Sequence, residues 1–326
     1  RQMCIRDRPD DAQKLLDETP VGIDHALLHV VEGRLHLVNA DKQRDGTGET
    51  DATLLSVAIS AFEGALKLNR ELGVAWLGMA RTNRLLRNLD AAEEALTRAR
   101  RLLAEDDPSS AAEAALLALD QGDVTAAANL IDVADIHGDS SVISYVRGNI
   151  EARTGHLSRA LEYYGKTLKI DHAHIRARLN RCSIYMALDE GRKALDDAEI
   201  LLDLAPNFTL ARFRKAEAGM MLGEWAKARE DLDIVLERAP HHHQAMTQLA
   251  ACFIALGRPE RAEAPLNDAL RIAPNHAPAW HQRGLLYLEW GRDDNALSDF
   301  EAAVKSEADH LDAHLHIAAM HHEAER

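Results

Sequence analysis

An all-α solenoid of stacked helix pairs is the fold class this sequence predicts, and three observations predict it. Alanine recurs every 34 residues, at Ala58, Ala92, Ala126, Ala160, Ala194, Ala228, Ala262 and Ala296. A second series at the same spacing holds only small side chains: Ala80, Ala114, Gly148, Cys182, Ala216, Ala250, Gly284 and Ala318. A third is large and mostly apolar: Phe62, Leu96, Leu130, Tyr164, Ala198, Leu232, Leu266 and Phe300. Self-similarity at a fixed period of this size is the mark of repeat architectures. Small residues facing large ones let two antiparallel helices approach closely. One such pair cannot bury its apolar face alone, so each must stack on the next.

Composition agrees with that fold. Of 326 residues 46% are hydrophobic but only 4% aromatic, so the helices pack through small and aliphatic side chains. Lys and Arg number 38 against 53 Asp and Glu, a formal charge of −15. Nucleic acid and anionic membranes both want a basic surface, so neither is the expected partner. No apolar run approaches the ~20 residues of a spanning helix, and no direct membrane insertion is expected. Cys182 and Cys252 fall two repeats apart and read as small core residues rather than a disulfide.

In chain order, residues 1–8 (Arg1-Gln2-Met3-Cys4-Ile5-Arg6-Asp7-Arg8) show no period. They resemble the translation of a transposase mosaic-end adapter from a sequencing library and are set aside as a processing scar. Residues 9–25 read as a partial repeat, since Arg8-Pro9-Asp10-Asp11-Ala12 parallels Arg258-Pro259-Glu260-Arg261-Ala262. Residues 26–72 form a longer repeat with a polar insertion at 41–51, whose Asp45-Gly46-Thr47-Gly48 is expected to be a surface loop. Seven regular 34-residue repeats fill 73–310, starting at Gly73, Asp107, Ser141, Ile175, Thr209, His243 and Ala277. Gly155, Gly223, Gly257 and Gly291 permit the turns within repeats, and Pro206, Pro240 and Pro274 stop helices between them. Residues 311–326 fit the first helix of a truncated repeat, with Leu315 and Ile317 lacking cover. The chain therefore reads as a fragment at both ends, from a bacterial, metagenomic source.

The period and the pattern Trp280, Gly284, Tyr287, Ala296, Phe300 and Ala303 resemble the tetratricopeptide repeat. That resemblance implies a right-handed superhelix whose concave surface is lined by first helices. It turns the second, fifth, sixth, ninth, twelfth and thirteenth places of each repeat into the groove. Place six reads Gly78, Ala112, Val146, Asn180, Arg214, Gln248, Gln282 and His316, becoming polar at Asn180. Amides at constant spacing suit an extended peptide, since an amide donates and accepts together. The groove expected to hold a protein or extended peptide comprises Tyr145, Asn149, Asn180, Ser183, Phe213, Arg214, Glu217, Gln248 and Gln282. Some family members grip a terminal carboxylate with Lys and Asn, then Asn, then Lys and Arg. Asn149, Asn180 and Arg214 match that pattern, but Tyr145 and Leu210 stand at the two lysine places. Tyr145, Phe213 and Met220 read as adaptable contact surface, and Met221 as core.

No constellation for chemistry emerges. Among 17 histidines, His310 and His314 lie one turn apart, the spacing of a shared metal, yet no Cys or carboxylate is placed to complete a site. Gly46-Thr47-Gly48 lacks the Gly-Lys-Ser/Thr and the preceding strand of a phosphate loop. The expectation is a non-enzymatic scaffold without cofactor or metal. The texture of residues 191–274, with Leu-Asp-Leu-Ala-Pro-Asn-Phe at 202–208, resembles repeat lipoproteins found beside bacterial PEP-CTERM/exosortase sorting and exopolysaccharide systems. That resemblance implies a periplasmic place. The alternative is a substrate-recruiting arm of a sulfotransferase- or glycosyltransferase-like enzyme whose catalytic domain lies beyond Arg326.

Overall fold

The computed structural model describes residues 25–47, 51–134 and 140–324, together with 13, 14, 16 and 17. The adapter-like segment 1–8, the Arg8–Ala12 parallel and Gly48 lie outside the described residues. Among the described residues there is no strand. The helices are α1 Ala26–Thr47, α2 Ala52–Leu68, α3 Gly73–Leu85, α4 Leu89–Leu102, α5 Pro108–Gln121, α6 Val124–Ala134, α7 Ser141–Arg153 and α8 Leu157–Ile170. They continue as α9 Ile175–Ala187, α10 Gly191–Leu204, α11 Thr209–Met221, α12 Trp225–Arg238, α13 His243–Ala255, α14 Glu263–Ile272, α15 Ala277–Glu289, α16 Asp293–Ser306 and α17 Leu311–Ala324. A 3-10 turn, Pro259–Arg261, leads into α14.

The turns inside each pair follow from backbone chemistry. Gly155, Gly223, Gly257 and Gly291 hold φ of +81°, +74°, +70° and +65°. The next residue then donates its N–H back to the helix, as His156 does to Glu151 at 2.9 Å and Glu224 to Gly219 at 2.8 Å. This closure satisfies carbonyls that the helix end would otherwise orphan. Arg87 (φ +64°) and Asp189 (φ +58°) make the same turn without glycine.

Small faces large, as the spacing predicts. A Cβ built on Gly284 would come within 2.7 Å of the Phe300 ring, and one on Gly148 within 2.5 Å of Tyr164. Ala80 packs with Leu96, Ala216 with Leu232 and Ala250 with Leu266 in shared clusters. The register slips once. At α6 the core places belong to Ala127 and Ile131 rather than Ala126 and Leu130. The cause is α5, which has 14 residues where neighbouring first helices have 13, so its closing glycine is Gly122, at φ +88°, one residue late.

The expected loop at 41–51 is corrected. Residues 41–47 continue α1, and Asp41 there is held by ion pairs to Arg81 and Arg176. Helix α2 then starts at an N-cap, Asp51, whose carboxylate accepts from Thr53 N at 2.8 Å and Leu54 N at 3.2 Å. Those backbone donors, Leu54 first, hold its pKa below the usual carboxylate range.

The chain divides into two compact units, 1–184 with 203–208, and 185–202 with 209–326. Each is an all-α solenoid of helix pairs. In the first unit, clusters centred on Phe62, Leu96, Ile131 and Tyr164 follow one another. In the second, one continuous cluster runs from Phe213 to Leu286 and another surrounds Phe300. Cys182 and Cys252 are fully buried and unbridged, and burial pushes the Cys252 thiol up to about 11. On α17, Leu315 is 58% exposed, whereas Ile317 packs against the Phe300 cluster and has more cover than expected. Among the described residues no helix is long and apolar enough to cross a membrane.

Candidate functional site

First helices pack directly on first helices: α1 on α3, α3 on α5 and α5 on α7 in the first unit, α11 on α13 and α13 on α15 in the second. Their shared face is therefore the inner one in each unit, and the side chains projecting from it face a groove. In the first unit this groove encloses about 470 Å³.

At its floor lies Tyr164 of α8, 1% exposed, whose hydroxyl donates to Asn149 Oδ1 at 2.8 Å. Asn180 Nδ2 donates to the same oxygen at 3.0 Å and to Tyr164 Oη at 3.3 Å. Burial raises the Tyr164 pKa, so the phenol stays protonated and keeps donating. The third-series tyrosine thus ties together two asparagines from adjacent first helices. The bonds leave Asn149 Nδ2 and Asn180 Oδ1 without a protein partner, and neither is a buried atom. Turning both amides over leaves the bonding equally good and exchanges the two roles. In either sense one amide offers a donor and its neighbour an acceptor.

Around this pair stand Tyr145, Ser183 and a set of arginines. Tyr145 is half-buried, its ring 6.2 Å from Tyr164 and 4.7 Å from His174. Ser183 Oγ donates to Leu179 O on its own helix at 3.1 Å. Arg84 is clamped by Glu113 and by Asp120 at 3.1 Å. Burial works against its charge, and the two carboxylates more than offset that, raising its pKa. Arg153 donates to the Leu119 carbonyl at 3.2 Å, and Arg176 to Asp41 at 2.7 Å. Sequence reasoning named none of these cations. Arg84 stands at the twelfth place of its repeat, a groove place by the family pattern. Asp41 has no repeat place that could have flagged it.

In the second unit the expected residues fare differently. Arg214 donates to Glu217, three residues on, at 2.7 Å. Burial nevertheless raises the Glu217 pKa, with Arg214 opposing. Gln248 and Gln282 are half-buried on the inner face, and Gln282 Oε1 has no protein partner. Phe213 is corrected from contact surface to core: it is 3% exposed, inside the large cluster, with the His242 ring 4.7 Å away. Phe213 and Ala216 of α11 share one buried cluster with Ala245 and Leu249 of α13, so the ring is covered. Met221 is corrected the other way, 39% exposed at the helix end, while Met220 packs on the cluster. His310 Nδ1 accepts from Ala313 N at 3.3 Å and His314 Nε2 meets Ala308 O at 2.8 Å, so both rings are engaged with backbone. Among the described residues no group of three or more potential ligands is placed to hold a metal.

Two family models of the tetratricopeptide repeat match the sequence, over residues 220–283 and 277–310. A tetratricopeptide repeat protein from Parabacteroides merdae ATCC 43184 is similar in structure, with 18% identity and a TM-score of 0.56 over 76% of this chain and 98% of that one. The APC/C hetero-tetramer Cut9-Hcn1 is similar over 98% of this chain and 60% of that one, with 11% identity and a TM-score of 0.72. No curated protein matches the sequence.

Proposed function

We propose, from the premise that this chain is a tetratricopeptide-repeat protein and so a protein-interaction scaffold, that it holds an extended peptide along its first helices. The observation that carries this is the Tyr164–Asn149–Asn180 network. A peptide group carries one N–H and one C=O, and the two amides present their complements side by side. A solvated face needs no such ordering. Tyr145 beside the pair supplies apolar contact for a neighbouring side chain. Gln248, Gln282 and the Arg214–Glu217 pair give the second unit an inner face of similar chemistry. With both lysine places lost, recognition rests on the peptide backbone more than on a terminal carboxylate.

Peptides selected from a random display library on the full chain provide the test. Each neutral hydrogen bond contributes about 1 kcal/mol, so Asn149→Ala with Asn180→Ala should weaken the best binder roughly 10- to 30-fold. Calorimetry showing unchanged affinity in that double variant would sink the assignment. Work in envelope or exopolysaccharide assembly is the narrower reading, supported by the texture of residues 191–274. Fractionation of the native host, with the protein in the cytoplasm, would remove it.

A further inference from the structure

Asp41 sits where α1 runs on through the inserted segment, and two arginines converge on it. Arg81 of α3, 40 residues on, reaches Oδ2, and Arg176 of α9, 135 residues on, reaches Oδ1 at 2.7 Å. Asp41, Arg81 and Arg176 are all in the first unit. Arg176 also lines the groove, one helical turn before Asn180. A peptide backbone lying on Asn149 and Asn180 would therefore carry a neighbouring side chain past the Arg176 guanidinium.

We propose that this groove takes an acidic extended peptide, whose Asp or Glu side chain seats on Arg81 and Arg176, and that Asp41 is a built-in competitor for the seat. Two guanidiniums sharing one position repel each other, so the position demands a carboxylate, and the fold supplies one from its own chain. The seat is partly open: the Asp41 side chain keeps 21% of its exposure, Arg176 28% and Arg81 43%. Ion pairs so exposed are weak and exchange readily, which lets a ligand carboxylate replace Asp41. The chain as a whole carries −15, so distant charge disfavours anions in general. Selection for an acidic peptide then depends on this local pair together with the amides beside it. The proposal rests on the groove reading above.

The test uses the full chain and two fluorescent probes, a capped hexaglutamate and a capped hexaglutamine, followed by anisotropy. Asp41→Asn should raise hexaglutamate affinity about fivefold or more and leave hexaglutamine where it was. Adding Arg176→Gln should cancel the gain, as should 0.5 M salt, while Asp41→Glu should stay near wild type. If Asp41→Asn unfolds by circular dichroism, Arg176→Gln alone serves: it should weaken hexaglutamate and spare hexaglutamine, and an equal effect on both overturns the proposal. No gain in Asp41→Asn, with hexaglutamine still sensitive to Asn149→Ala and Asn180→Ala, overturns the competitor and leaves the groove standing. Insensitivity of both probes to the asparagine variants removes the groove and this inference with it. An equal gain for oligothymidylate would make the seat a general polyanion site and overturn the peptide assignment.

Discussion

Gly148 connects packing to the groove in a single atom. With a side chain there, a Cβ would stand 2.5 Å from the Tyr164 ring, whose hydroxyl orders Asn149 and Asn180. Gly148→Ala gains helix propensity but overpacks a buried aromatic, so a net loss of about 1–3 kcal/mol is expected. Thermal unfolding would report it, and peptide affinity should fall with it because the ring that sets the amides must move. Asp189 shows the opposite case. Its φ of +58° is a conformation that L side chains enter at a cost, and glycine occupies the matching place at Gly155, Gly223 and Gly257. Asp189→Gly should therefore stabilise by about 0.5–1 kcal/mol, and a lower Tm in that variant would contradict the strain argument. The recurring glycine made this turn readable from sequence, and the structure adds that the fold tolerates its absence at Arg87 and Asp189.

At the scale of the element, the first helices of several repeats begin with a histidine used as an acceptor. His174, His242 and His310 accept from Ala177, Ala245 and Ala313 backbone N–H at 3.2, 3.1 and 3.3 Å. An Nδ1 that accepts must be unprotonated, so the caps require neutral imidazole. His242 faces Phe213, His243 and Arg214. Its pKa is lowered, by burial first and further by the charges of His243 and Arg214, with a backbone hydrogen bond opposing them. A histidine whose folded pKa lies below its unfolded value of about 6.5 binds its proton more readily when unfolded. Its contribution is complete above that unfolded value and is lost as pH falls through it toward the folded pKa. Protection factors of the α13 amides, with the pH dependence of intrinsic exchange divided out, should accordingly fall as pH drops from above the unfolded histidine value of about 6.5 to below it. His242→Asn keeps an acceptor at the cap without the titration and should flatten that dependence. A variant as pH-sensitive as the wild type would exclude this cap as the cause. For these histidines the sequence shows only that the residue is abundant, 17 in all. Their capping role depends on the backbone turning beneath each ring, which composition does not show.

For the whole molecule, stability in a stacked array is a sum of repeat terms and nearest-neighbour interfaces. Helix α17 packs against α16 and leaves Leu311 68% exposed. Its amides should exchange well before those of α13, which lies inside the continuous cluster of the second unit. Equal protection of both helices would contradict nearest-neighbour additivity. The sequence by itself determined the period, the helix-pair fold, the left-handed turns and the small-against-large contacts. Each is set by residues close in the chain or one repeat apart, and repetition printed the same requirement many times. The tertiary structure alone decided that Asn149 and Asn180 share Tyr164, that Phe213 is covered, that α5 shifts the register by one, and that Asp41 meets Arg176. The Asn149–Tyr164–Asn180 and Asp41–Arg176 contacts join side chains from different helices whose identities change from repeat to repeat, and only the packed backbone brings them within bonding distance.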